Sequence, residues 1–469
     1  MRHDFVIRGA EVIDGSGKPA IRAEVHVRGA QISAIRPAGT IERAHEIIDA
    51  HGLTLTPGFI DVHTHDDLAL IHTPEMLAKT SQGVTTVITG LCGYSAAPLP
   101  QNIRLPEEYD ILIPGSGRTY EGFADYIAAV EAARPAVNSL ALVGHSTLRI
   151  ACMDDLSRPA TADEMEQMCR LLDQALDEGA AGLSSGLAYS MASNASTEEL
   201  VALCRRLTSR QAPYVTHVRD EGNGLVDAVA EALDIGKRAN VPVIFSHHKA
   251  LGSQNHGKVA HTLKMIDAAC DCQKVGLDVY PYVYSSTSLT TERAARGGKI
   301  IVTRSVTKPD AVGRTLEAVA HELGCDTVEA VRRLQPAGAL FYLMAEDDVH
   351  LVLSHPLAMI GSDGLPFDPM PHPRLWGTFP RVLGHYARDM GLMTVEAAVH
   401  KMTGLPAQVF GLKGRGLIEE GAFADLALID LLNLSDRASP TNPVSTSRGI
   451  TRVWVNGQVA DIGAGRQIR

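Results

Sequence analysis

Between residues 54 and 362 a short apolar or β-branched run recurs eight times, at 54–62, 84–91, 139–144, 180–186, 213–217, 241–246, 275–280 and 358–362. Several intervals carry amphipathic stretches long enough for crossover helices, among them Asp163 to Asp177, Glu198 to Arg210, Leu225 to Arg238 and Val259 to Cys272. Strands joined by crossover helices pair in parallel, and eight such repeats close on themselves. The pattern therefore predicts an α/β chain built on a (β/α)8 TIM-type barrel. The seventh and eighth runs stand about 75 residues apart, far beyond an ordinary connection. Residues 285–350 are accordingly read as an insertion at the catalytic face, acting as a lid or recognition element.

The two ends behave differently. Phe5-Val6-Ile7-Arg8-Gly9 and Ala23-Glu24-Val25-His26-Val27-Arg28-Gly29 alternate with period two, as do Ala424-Asp425-Leu426-Ala427-Leu428-Ile429 and Ile450-Thr451-Arg452-Val453-Trp454-Val455. Such runs read as antiparallel strands, so residues 1–56 plus 414–469 are expected to form one small β-sandwich beside a barrel spanning 57–413. Hydrophobic residues make up 45% and charged residues 21% of the chain, the balance of a soluble enzyme. Lys plus Arg number 43 against 54 Asp plus Glu, a net charge of −11 that argues against nucleic-acid and anionic-membrane partners. The seven cysteines are odd in number and none is spaced as CxxC. Together with Asp4 near the start and no apolar run of about 18 residues, they suggest reduced thiols in a cytoplasmic protein. Oligomeric state is not legible.

In a closed barrel the carboxyl ends of the strands form one rim, where chemistry collects. The first run ends in His63-Thr64-His65. Residues i and i+2 of a strand face the same way, so both imidazoles can converge on one ion, the alternative being two solvated loop histidines. The second run ends in Cys92, which taken alone is more often inert packing than a ligand. The fifth ends in His217, the sixth in Ser246-His247-His248-Lys249, and the eighth in Gly361-Ser362-Asp363-Gly364. Six side chains, His63, His65, Cys92, His217, His247 and Asp363, thus meet on one rim, and their N, S and O donors suit zinc. Of the neighbours His247 and His248 only one should reach the ion, because adjacent strand residues point to opposite faces.

The chain resembles the amidohydrolase superfamily from Gly9-Ala10-Glu11-Val12-Ile13-Asp14-Gly15 to Gly421-Ala422-Phe423-Ala424-Asp425-Leu426. Five motifs narrow the resemblance to the N-acyl-D-amino-acid deacylases, the D-aminoacylase family. They are His63-Thr64-His65-Asp66-Asp67, Ser81-Gln82-Gly83-Val84-Thr85-Thr86-Val87, Ser246-His247-His248-Lys249, Asp278-Val279-Tyr280-Pro281-Tyr282, and Gly361 to Pro366 followed by Pro371-His372-Pro373-Arg374-Leu375-Trp376-Gly377. Many superfamily members bridge two metals with a carboxylated lysine on strand four. The fourth run here, Ala181 to Gly186, has no lysine, and Cys92 matches the cysteine that replaces it in the deacylase branch. The resemblance implies a tightly held zinc on Cys92, His217 and His247, and selects His247 over His248. It also implies a second, weaker site on His63, His65 and Asp363, with Cys92 shared.

The implied reaction is hydrolysis of the amide bond of an N-acyl-D-amino acid to a carboxylate and a free D-amino acid. Zinc brings the pKa of bound water to about 7 and polarises the amide carbonyl, so hydroxide is available as nucleophile at neutral pH. Asp363 takes the part of general base toward that water and then of general acid toward the leaving amine. Lys249, Tyr280 and Arg374 follow strands six, seven and eight, where a cation and a guanidinium fork suit the substrate α-carboxylate. Arg293, in Ser285-Ser286-Thr287-Ser288-Leu289-Thr290-Thr291-Glu292-Arg293, is similar to the branch that prefers N-acyl-D-glutamate. Against that stand a hydrophobic preference, such as D-methionine or D-leucine, and a solvated lid charge at Arg293. Tyr189 is read as a substrate contact or a packing residue, His145 as a hydrogen-bonding or substrate-orienting group, and His372 equally as a structural residue.

Ser253-Gln254-Asn255-His256-Gly257 departs from the family segment and shapes the rim differently. Cyclic amide opening, as in dihydroorotases and hydantoinases, is the alternative reaction on this barrel. The missing strand-four lysine and the His372-Pro373-Arg374-Leu375-Trp376 motif count against it. A non-catalytic scaffold would have lost metal ligands, and every expected ligand is present. Selection of D over L substrates rests on the resemblance alone.

Overall fold

The computed structural model describes residues 3–40, 44–101, 103, 105–106, 108–109 and 119–468. Its centre is a run of short, largely buried parallel strands. Phe59–Asp61 pairs with Val84–Thr89, which pairs with Asn138–Ala141. The chain breaks step at Leu142, resumes in Val143–Gly144, and continues through Leu183–Gly186, Tyr214–His217, Val243–Phe245, Val275–Val279 and Ala358–Ile360, each parallel to the last. The eighth strand returns to the first through Val62 N to Ile360 O and Asp363 N to His63 O (3.5 and 2.7 Å). A parallel bridge between Thr64 and Gly364 adds to that seam. The strands thus form a ring whose interior holds apolar side chains such as Ile60, Ile88, Val215, Ile244 and Met359.

The helices lie where the periodicity places them: Ala162–Asp177, Thr197–Cys204, Leu225–Ala239 and Lys258–Ala269 separate successive ring strands. Ala162–Asp177 opens with a capping box in which the Thr161 and Glu164 side chains satisfy each other's backbone N–H groups. The run at 54–62 is not one strand, contrary to the sequence expectation. Thr54–Pro57 pairs with Leu426–Ile429 in the terminal sheet, and only Phe59–Asp61 enters the ring. Gly58 makes the turn, where an added Cβ would sit 2.1 Å from Thr85 Cγ2. Alternation cannot locate such a change of sheet, because both halves are buried.

Both termini build one nine-strand sheet among the described residues. Ile21–Arg28 is shared between its halves, which enclose Phe5, Val25, Leu55, Leu428 and Trp454. The stretch from 285 to 343 has a core of its own, whereas the helix Glu346–Ser354 packs Val349 and Val352 into the ring core, so the expected end of the insertion at 350 falls inside a helix. Ser285–Ser288, Ala337–Tyr342 and Lys299–Ser305 form a three-stranded antiparallel sheet on which Leu316–Leu323 and Thr327–Leu334 pack.

Candidate metal centre and substrate cleft

Ring strands one, two, five, six and eight deliver His63 and His65, Cys92, His217, His247 and Asp363 to one buried patch. Cys92 Sγ is 3.2 Å from His63 Nε2, 3.3 Å from His247 Nε2 and 3.7 Å from His217 Nδ1. Asp363 Oδ1 is 3.3 Å from His65 Nε2 and 3.7 Å from His63 Nε2. Donors held about 2.0–2.3 Å from one tetrahedral ion stand roughly 3.3–3.8 Å apart, so this spacing and this set of thiol, imidazole and carboxylate fit zinc. Burial disfavours charge on Cys92, but His63 and His247 override it and hold the thiol well below its ordinary pKa. Burial likewise opposes charge on Asp363, and Arg374 with His65 keeps it a carboxylate.

Three of these residues leave their strands in the left-handed region, with φ of 53° at Cys92, 35° at His247 and 49° at Asp363. That conformation, and not strand alternation, separates His247 from His248. The strand ends at Phe245, and His248 turns away to Thr262 Oγ1 at 2.8 Å. The side chain the resemblance selects is the one that faces Cys92, but the alternation argument for it fails.

The patch forms the floor of a cleft with Lys249, Tyr280, Tyr189 and Arg293 on its walls. Residues of the 285–343 unit, including Ser286, Arg296 and Phe341, also line it. Tyr189 OH lies 3.4 Å from His217 Nδ1. Arg293 donates to Ser288 O at 3.1 Å and covers the Tyr189 ring at 5.4 Å. Arg374 lies beneath the floor, 1% exposed, on the Tyr280 ring at 4.6 Å and with Nη1 2.8 Å from Asp363 Oδ2. His372 supports it: Nε2 donates to Tyr284 O (3.0 Å), leaving Nδ1 to accept the Arg374 backbone N–H (2.9 Å).

His145 does not reach the cleft, which corrects its reading as a substrate-orienting group. Strand three ends at Gly144 and the chain turns at once into the helix His145–Cys152, which buries the ring against Glu199 at 2.8 Å beside Arg149.

Two acidic residues escape the sequence reading. Asp278 joins strands one, six and seven: Oδ2 lies 3.1 Å from His63 Nδ1 and Oδ1 accepts the His247 backbone N–H at 2.8 Å. A charged residue inside an apolar strand was its available signal. Glu221, four residues after His217, lies 3.5 Å from His217 Nε2, 3.1 Å from His247 Nδ1 and 2.6 Å from Lys249 Nζ. Burial opposes its charge, but Lys249, His217 and His247 hold it well below the usual carboxylate range. Its loop position carries no periodic signal at all.

A ring of parallel strands carrying a histidine, cysteine and aspartate centre at its carboxyl ends defines a metal-dependent hydrolase architecture, and the chain belongs to the amidohydrolase family, whose model matches residues 46–461. Within that family it falls with the D-aminoacylases. It is 48% identical to the D-aminoacylase of Alcaligenes xylosoxydans xylosoxydans over 97% of this chain and 93% of that one. It is also 48% identical to the N-acyl-D-aspartate deacylase of the same organism, over 97% and 91%. The crystal structure of the N-acyl-D-glutamate deacylase of Bordetella bronchiseptica, complexed with zinc and a phosphonate mimic of the tetrahedral intermediate, superposes with a TM-score of 0.97. That match has 43% identity and covers 100% of both chains.

Proposed function

We propose that this protein is a zinc-dependent deacylase that hydrolyses N-acyl-D-amino acids. The observation that carries the reading is the donor set at the cleft floor, with Cys92 within 3.7 Å of three imidazoles and Asp363 beside them. The ring is read as a (β/α)8 barrel over 57–413, with a β-sandwich from 1–56 and 414–469 and the 285–343 unit as the roof of the site. Residues 1, 2, 41–43, 102, 104, 107, 110–118 and 469 of that division lie outside the described residues. Cys92, His217 and His247 hold the tight zinc, and His63, His65 and Asp363 offer a second, weaker position that shares Cys92. What zinc supplies when bound is Lewis acidity toward the amide carbonyl and water acidified to a pKa of about 7.

The protein's own groups do the rest. Asp363 takes a proton from the attacking water at Oδ1, the oxygen turned to the imidazoles, and returns it to the leaving amine nitrogen. Lys249, beside Tyr280 on the cleft wall, receives the substrate α-carboxylate, while Arg374, buried beneath the floor on the same ring, holds Asp363 charged. Arg293 and Arg296 on the cleft wall favour an acidic D side chain over a hydrophobic one. The D preference is supported by the relatives, whose names specify D substrates. Seven unpaired cysteines suit a reducing compartment, and among the described residues no helix is long and apolar enough to cross a membrane.

Asp363→Asn tests the mechanism. The variant is expected to retain zinc in metal analysis after gel filtration while hydrolysis falls by about 10²–10⁴-fold. Parental activity in the zinc-loaded variant would remove Asp363 as the proton carrier.

A further inference from the structure

We propose that Glu221 is a positioning residue that couples the metal-binding imidazoles to the cation receiving the substrate carboxylate. For the identity of the substrate this rests on the deacylase reading above; its metal half does not. His217 turns Nδ1 toward Cys92 Sγ (3.7 Å) and Nε2 toward Glu221 Oε2 (3.5 Å). His247 does the reverse, with Nε2 toward Cys92 Sγ (3.3 Å) and Nδ1 toward Glu221 Oε1 (3.1 Å). Each carboxylate oxygen thus addresses, from behind, the ring nitrogen that the sulfur leaves free. A neutral imidazole has one N–H and one lone pair; at His217 the carboxylate facing Nε2 favours the N–H there and leaves the lone pair on Nδ1, the form that ligates metal, whereas at His247 the Lys249 ammonium, a donor only, makes Nδ1 an acceptor.

His217, Glu221 and His247 also lie close enough to hold an ion among themselves. The Lys249 ammonium is already there, 2.6 Å from Glu221 Oε1 and 2.7 Å from His247 Nδ1, and its charge excludes a second cation. Glu221 therefore anchors and does not ligate. Its backbone O accepts Leu251 N at 2.7 Å, tying the loop after strand five to the segment after strand six that carries Lys249. One buried carboxylate thereby orients the His217 ring and fixes the position of the substrate-facing ammonium, which in turn donates to His247 Nδ1.

The test is Glu221→Gln in the full chain. Zinc affinity, read by chelator competition, is expected to fall about 10–100-fold. At saturating zinc, KM for N-acetyl-D-glutamate is expected to rise by about tenfold with a smaller change in kcat. Lys249→Met is expected to raise KM while zinc affinity stays within about twofold of the parent. In the cobalt-substituted protein, Glu221→Gln should leave the thiolate-to-cobalt absorption band in place, and a shifted band would make Glu221 a ligand and overturn the assignment. Unchanged zinc affinity, or a zinc effect with KM unmoved, would also overturn it. Should Glu221→Gln fail to fold, Glu221→Asp carries the same test, since it keeps the charge but shortens its reach and shifts both constants less, in the same directions. A parent inactive on every D substrate defeats the deacylase reading, whereas an active parent with zinc affinity unmoved in the variant defeats this inference.

Discussion

At Cys92, His247 and Asp363 the backbone sits at φ between 35° and 53°, a region that costs an L residue about 1–2 kcal/mol. Three such residues in one patch are tolerated only where the surrounding structure holds them, and here each turn aims a polar side chain at a common point. Asparagine accepts this conformation more readily than most residues, so Asp363→Asn changes the chemistry with little change of backbone. The arginines of the cleft wall carry the substrate argument. Arg293→Leu is expected to lower kcat/KM for N-acetyl-D-glutamate by about 10²-fold while sparing N-acetyl-D-leucine, as loss of one charge-assisted contact requires. An equal loss on both substrates in a side-by-side assay would assign Arg293 a structural part instead. The six donors and Lys249 were legible because each stands at or just past the end of a strand run, whereas Arg374, in a helix well beyond strand eight, was legible only through the His372-Pro373-Arg374 motif. Glu221 was not, since a loop residue four positions on has no periodicity to betray it, and His145 misled because a strand end that turns at once into a helix carries its side chain outward.

Whole elements place the centre through close backbone contact. A Cβ on Gly186 would stand 2.1 Å from Cys92 O and 2.6 Å from Tyr189 Cδ2, so strand four presses directly on the cysteine turn. Gly186→Ala is expected to cost about 1–3 kcal/mol in denaturant unfolding and to weaken zinc in chelator competition, because a carbonyl cannot move aside without its strand. Unaltered zinc binding would show that the turn is set elsewhere. On the outer side, Lys401 in the helix Val395–Met402 donates to His355 O and Ala358 O at the start of strand eight. Burial lowers its pKa from 10.5 to about 8. The folded chain holds this proton less tightly than the unfolded one, so charged Lys401 costs stability at pH 8 and below, and the cost lifts as pH rises toward 10.5. Relative to Lys401→Met, the parent is expected to gain about 3 kcal/mol across that range, measured by urea unfolding at each pH. A flat difference would mean that the ammonium is solvated. The ring strands and their helices were legible as alternating periods, whereas the change of sheet at Gly58 was not.

The terminal sheet is bound to the ring by a buried polar network. Arg415 pairs with Asp425, Asp425 accepts Asn456 N at 2.7 Å and Asn138 Nδ2 at 3.2 Å, and Asn138 opens ring strand three. Asp425→Ala leaves the Arg415 charge buried and unpaired, with an expected loss of about 3–5 kcal/mol in unfolding free energy, read as a lower denaturant midpoint at unchanged slope. A loss under about 1 kcal/mol would show that Arg415 reaches water when its partner is removed. That both termini make one sheet was readable from their shared alternation. That they are stapled to strand three was not, because pairings more than 280 residues apart leave no local pattern. The central claim, a zinc deacylase of N-acyl-D-amino acids, is tested most directly by measuring amide hydrolysis by the zinc-loaded protein on paired D and L N-acetyl derivatives of glutamate, aspartate, methionine and leucine. Turnover of D members, led by the acidic ones, with the L members untouched is the predicted result; no turnover of any D member would contradict it.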